Sequence, residues 1–153
     1  PAISIFTAVL SVSILILASC DQEACFEETN AYVKASMYNY STMKIEAPDS
    51  ISLNGLTKPE VMLYKKAKDV TTALMPLDPS AETCAYAIKI NGVTDTITFI
   101  YTSFPHLLSK ACGYTYYHTL DALIDFSKNE IDSLGFSNKS ITTLDAENIR
   151  IYY

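Results

Sequence analysis

Four cysteines and two histidines are the side chains of this 153-residue sequence best suited to covalent, metal or acid-base chemistry. Cys20 follows Leu17, Ala18 and Ser19, a branched apolar residue and two small ones in the order of a lipobox. There the thiol receives a diacylglycerol and the chain is cut just before it, the small residues being those a peptidase can seat. Cys25, Cys84 and Cys112 have none of the C-x-x-C spacings of a zinc site, so no metal is expected. In an exported chain three thiols allow one disulfide and leave one over.

His106 and His118 would have to supply any histidine base. His118 shares a strand face with Cys112 and Tyr116, and Asp121 is near in sequence, the raw material of a nucleophile, base and orienting acid. No G-x-S-x-G segment accompanies it, and a strand histidine at a sheet rim is the simpler reading. Asp121 and Asp125 stand one helical turn apart, as a glycosidase pair or an ordinary solvated face would. No twelve-residue calcium loop occurs. No catalytic residue and no cofactor are therefore assigned.

Two further patterns concern binding and modification. Among eleven tyrosines, Tyr32, Tyr38, Tyr40, Tyr117 and Tyr152 are the surface candidates for stacking on a sugar or a protein. Tyr86, Tyr101, Tyr114 and Tyr116 share apolar strand faces and are read as core. The tripeptides at Asp49, Asp95 and Asp132 resemble Asp-Ser/Thr-apolar O-glycosylation sites of exported proteins, with Ser50, Thr96 and Ser133 as acceptors.

The elements that must position these residues begin with the membrane end. Residues 1–19 contain no charged side chain and no histidine, and a run of that length nearly spans a bilayer. Its ending at the lipobox favours a signal peptide over a retained helix, with the Met and basic residues of such a signal expected upstream of Pro1. Residues 20–30 then read as a lipidated, acidic tether and residues 31–153 as one domain. That part carries the whole net charge of -6, which repels phosphate backbones, so nucleic acid is not an expected partner.

Within the domain the period is two. Val33, Ala35 and Met37 alternate with polar neighbours, Ile51 and Leu53 do the same, and a short strand is expected near residues 61–64. Asn91-Gly92 is flanked by alternating runs on both sides, the signature of a type I′ hairpin. A further strand covers residues 112–119. Leu120, Leu123 and Ile124, behind a possible cap at Thr119, fit helical spacing and predict one short helix near 119–128. Strands near 131–136, 140–144 and 148–153 close the chain. Many short strands separated by turn residues predict an all-β, antiparallel β-sandwich, immunoglobulin-like in general architecture but without its core Trp.

Several segments point to a family. Cys25 five residues after Cys20, Met75-Pro76-Leu77-Asp78, Thr83 leading a strand, and residues 95–101 in the hairpin are four of them. Ser109-Lys110-Ala111-Cys112-Gly113-Tyr114 and the closing Asn148-Ile149-Arg150-Ile151-Tyr152 are the others. Together they resemble a family of Bacteroidota lipoproteins defined by a domain of unknown function, number 6452. The resemblance covers essentially all of the chain after Cys20 and brings no activity with it. In that family's pattern the recurrent cysteines beyond the lipid-bearing one match Cys25 and Cys112, which implies a disulfide between them. Cys84 is a departure, on a face with Tyr86, Ile88 and Ile90 where a free thiol packs as a small hydrophobe. Cys84 with Cys112, an inter-sheet bridge, is the rival pairing. By loop-closure entropy, joining Cys25 to Cys112 would contribute roughly 4 to 5 kcal/mol.

The expectation is a lipid-anchored protein of the cell envelope, at the outer membrane, which binds a protein or glycan partner and is not an enzyme. A structural component of an envelope assembly is the alternative, and a hydrolase the third reading. An exposed aromatic patch would favour the first, a bare sheet edge the second, and a cleft joining His118 to carboxylates the third.

Overall fold

The computed structural model describes residues 24–153, so the expected signal peptide and Cys20 lie outside the described residues. From Tyr32 the chain forms eleven strands: β1 (Tyr32–Asn39), β2 (Lys44–Ile45), β3 (Ile51–Gly55), β4 (Met62–Ala67), β5 (Thr72–Pro76), β6 (Thr83–Ile90), β7 (Val93–Ser109), β8 (Gly113–Phe126), β9 (Ser133–Phe136), β10 (Ser140–Ile141) and β11 (Ile149–Tyr152). They make two sheets. The six-stranded one runs β10-β8-β7-β6-β3-β4. In the five-stranded one β1 is central, with β11 and then β9 on one side and β2 and β5 sharing its other edge.

The alternation read from sequence decides which side of each strand faces in. Val33, Ala35 and Met37 on β1 and Ile149 and Ile151 on β11 meet Leu53, Ile88, Ile97, Phe99 and Leu120 of the other sheet in one apolar core. Each such large side chain, fully buried, stabilises by about 1.5–3 kcal/mol. The result is the expected β-sandwich, with antiparallel pairs throughout except β1 with β11, which run parallel. The two-sheet plan is the one immunoglobulin domains share, while the path through it is this chain's own: β6, β7 and β8 form a meander within one sheet.

Asn91 and Gly92 adopt φ values of 50° and 94°, the positive angles a type I′ turn demands. Their hairpin pairs Ile90 with Val93 and continues to Thr83 opposite Ile100. Asn148 explains why its motif precedes the last strand. Its Nδ2 donates to the carbonyls of Asn138 and Ser140, and its Oδ1 accepts the Lys34 amide at 3.0 Å. A buried amide so satisfied ties β1 to the β9–β10 connection.

The helix expected near 119–128 does not form; β8 runs unbroken to Phe126. Two register shifts on β8 account for the misreading. Opposite Tyr101, Phe99 and Ile97 stand Leu120, Leu123 and Phe126, because Asp121 and Ile124 are extra residues with no partner in the ladder. Each bulge stretches the apolar period from two to three, which imitates a helix in sequence.

Candidate functional site

β7 outlasts its sheet. β6 accompanies it only as far as Ile100, and beyond Ser103 opposite His118 it pairs with β8 alone. This two-stranded ribbon extends six more residues to Ser109, roughly 20 Å at strand rise. Its tip is closed by Cys25, joined to Cys112 by a disulfide with the Cα atoms 4.8 Å apart. The hydroxyl of Thr115 donates to the Thr29 carbonyl at 2.6 Å, so the segment leading into β1 lies along β8 from the tip to the core. The pairing implied by the resemblance is thus the one present, and the rival pairing through Cys84 is not.

Where the ribbon leaves the core, residues 77–82 between β5 and β6 cross the end of the sandwich as a strap. The Tyr101 hydroxyl donates to the Asp78 carbonyl at 2.8 Å, the Tyr86 hydroxyl to that of Pro76, and the Tyr101 amide to Glu82 at 2.9 Å. The Met75-Pro76-Leu77-Asp78 segment therefore forms the entry to this strap. A cavity opens on each side of it. The larger, about 460 Å³, is lined by Val61, Leu63, Leu77, Cys84, Tyr86 and Tyr101 among others, with Lys58 and Asp78 also present. That size and that apolar lining are those of a small-ligand site. The smaller, about 250 Å³, lies between residues 29–32 and Tyr116 and His118.

His118 is buried, and its Nδ1 lies 2.8 Å from the Ser103 hydroxyl, with the ring edge-on to Tyr101. Burial holds its pKa below the usual histidine value, so the ring is neutral at pH 7. Asp121, the acid nearest in sequence, instead accepts the Thr102 hydroxyl at 2.7 Å, and Asp125 is exposed opposite Thr98. A nucleophile, base and acid in line are not what these residues form. Cys84 is a half-buried free thiol in the wall of the larger cavity, its pKa pushed up to about 12 by burial. Such a thiol is a poor nucleophile at neutral pH.

The tyrosines divide differently from the expectation. Tyr86 and Tyr101 are core, whereas Tyr114 and Tyr116 are exposed. They share the inward face of their strand but lie past the point where the other sheet gives cover. Tyr38 and Tyr152 are half-buried and packed together, the Tyr38 hydroxyl donating to Glu147, which also accepts Arg150. Tyr117 stacks on His106, Tyr32 lines the smaller cavity and Tyr40 is exposed beyond β1. No single platform joins the five. Of the glycosylation acceptors Thr96 is exposed, and Ser50 and Ser133 are half-buried.

Asp95 entered the sequence reading only as part of a glycosylation tripeptide and of the hairpin segment, yet it is the most engaged carboxylate among the described residues. Buried on β7, it accepts the Ser127 hydroxyl at 2.5 Å and the amides of Asn129, Glu130 and Ile131 at 2.8 to 3.0 Å. Burial pushes its carboxyl up, but those four donors prevail and hold it below the usual aspartate range. The available signal was its register: a carboxylate on the inward face with Ile97, Phe99 and Tyr101 must find donors.

The profile of a family described as one of unknown function, DUF6452, matches residues 50–153. The chain belongs to that family. The matched DUF6452 segment takes in β3 to β11, hence the hairpin, the strap and Cys112, and leaves Cys25 and β1 outside it. No curated protein and no solved structure matches the chain.

Proposed function

We propose that this chain is a Bacteroidota envelope lipoprotein, anchored through Cys20 at the outer membrane, whose DUF6452 domain is a non-catalytic module binding a protein or glycan partner. The observation that carries the reading is the Cys25 to Cys112 disulfide. Disulfides persist in exported proteins, and this one ties the segment just after the lipobox to the end of the domain bearing the strap, both cavities and the exposed aromatics. Binding is favoured over edge-to-edge assembly because the β4 edge carries Lys65 and Lys66 and is bent by a register shift, both of which blunt strand addition. It is favoured over hydrolysis because His118 and Asp121 serve separate partners.

Growth with a radiolabelled fatty acid labels the native protein and not Cys20→Ala, and any variant of mature size leaves the membrane pellet. A labelled variant, or a processed one still in the pellet, refutes the anchor. For the cleft, Thr83→Trp places an indole at an exposed lining position of the larger cavity. It is expected to remove cross-linked envelope partners without lowering Tm, and an unchanged cross-link pattern rejects that cavity as the binding site. Modification by glycan is expected at Thr96 ahead of Ser50 and Ser133, which peptide mapping of the exported protein checks.

A further inference from the structure

We infer that the tip of the β7–β8 ribbon is a lipid-contact surface, seated in the headgroup region of a zwitterionic phospholipid leaflet beside the anchor. This rests on the acylation of Cys20 proposed above and adds where the domain sits on the membrane.

Phe26 is 93% exposed, Tyr114 73%, Leu107 49% and Tyr116 46%. These are not scattered. Phe26 follows Cys25, which is bonded to Cys112; Tyr114 is two residues from Cys112 and pairs with Leu107, and Tyr116 pairs with Pro105 on the same face. An apolar and aromatic cluster of this kind calls for a cover. Cys25 is five residue steps from Cys20, and five steps fully extended reach at most roughly 18 Å. The disulfide thus keeps the tip within that distance of the acyl chains, and tyrosines with exposed ring and hydroxyl are the side chains that favour a membrane interface.

Charge narrows the occupant. Asp21, Glu23, Glu27 and Glu28 flank Cys25, while Lys110 is the cation of the tip. An anionic leaflet would repel this end, and a second copy meeting it tip to tip would bring the same acids together. A zwitterionic surface carries neither penalty.

The sequence has no Trp, so tyrosine emission can be read directly. The full acylated protein is placed in vesicles of phosphatidylcholine and phosphatidylethanolamine, with and without brominated acyl chains. Bromination is expected to quench part of the emission. Tyr114→Phe with Tyr116→Phe should remove most of that quenched part, Tyr40→Phe beyond the other end of β1 should leave it unchanged, and added phosphatidylglycerol should reduce it. A protein that floats with the vesicles but shows the same quenching with and without Tyr114 and Tyr116 overturns the placement alone. So does one whose tip cross-links to a second copy while unquenched. A protein that does not float refutes the anchor, and the placement with it.

Discussion

β7 passes through two regions that differ in what holds them. From Val93 to Ile100 it pairs with β6, joined from Ile97 by β8 on its other side, with the second sheet over its inward face, and Asp95 gathers the connection after β8 through four hydrogen bonds. From Phe104 to Ser109 it has one neighbour, no cover, and a disulfide at the end. On the partner strand β8, Tyr114, Tyr116, His118 and Leu120 share one face through both regions, yet only His118 and Leu120 are buried. Alternation therefore fixes which face a residue takes, while burial depends on whether another layer reaches it. A two-stranded ribbon is at best marginally stable by itself, which is why the second region needs the covalent tie and the first does not.

The comparison is tested most severely at Phe99, fully buried midway along the covered half. Phe99→Ala is expected to destabilise by about 3–5 kcal/mol through lost contacts and the cavity left behind. Denaturant unfolding measures it, and a loss under about 1 kcal/mol would mean that the sheets do not close over β7 as described.

Asp95→Ala comes next. It leaves a hydroxyl and three backbone amides without their charged acceptor, and the expected loss is about 3 kcal/mol. Because the folded pKa lies below the ordinary aspartate value of about 3.9, the contribution is complete above that value. It disappears as pH falls through the lower, folded one. The native protein should therefore lose stability below about pH 4 more steeply than Asp95→Asn. Parallel acid-unfolding curves for the two would dismiss the clamp.

How much of this was legible in the sequence follows from the same contrast. The Asn91-Gly92 hairpin, β1, β3 and β11 are local patterns with local causes, and they stand where the periodicity puts them. The strands β2 and β5 carry no period of their own and exist because β1 offers them an edge. The bulges at Asp121 and Ile124 are set by the partner strand, so a period-three run looked helical. Of the site, Cys25 and Cys112 could be paired through resemblance. The Ser103 to His118 contact, the strap and the exposure of Tyr114 depend on where the second sheet stops, which no window of residues reports.

The disulfide is the third test. Loop closure over 87 residues would suggest a loss of roughly 4 to 5 kcal/mol on reduction. The bond, however, also tethers the residues before Thr29, which the Thr115 hydroxyl holds separately, and freeing about two of those backbones regains roughly 2–4 kcal/mol of entropy. The two effects oppose each other. Cys25→Ser is expected to lower global stability by only about 1–2 kcal/mol while abolishing hydrogen-exchange protection at the tip and leaving that of β6 intact. Equal loss of protection at β6 and at the tip would show that the ribbon is not a separate region.

The smallest effect is expected at Leu107, whose strand neighbours two and four residues earlier are Pro105 and Ser103 on the same inward face as the core residue Tyr101. By sequence pattern Leu107 belongs with Phe99, and by cover it does not. Leu107→Ser removes about as much apolar side chain as a core truncation, yet half of it already faces water and no sheet lies across from it. The change in unfolding free energy should stay within about 0.5 kcal/mol, as for surface substitutions generally. In vesicles the same variant should weaken the quenching of Tyr114, its cross-strand partner, by lipid bromine, since the pair would enter the interface together. A loss above about 2 kcal/mol in detergent-free solution would indicate burial of a core side chain. It would place Leu107 under cover and erase the contrast between the two halves of β7.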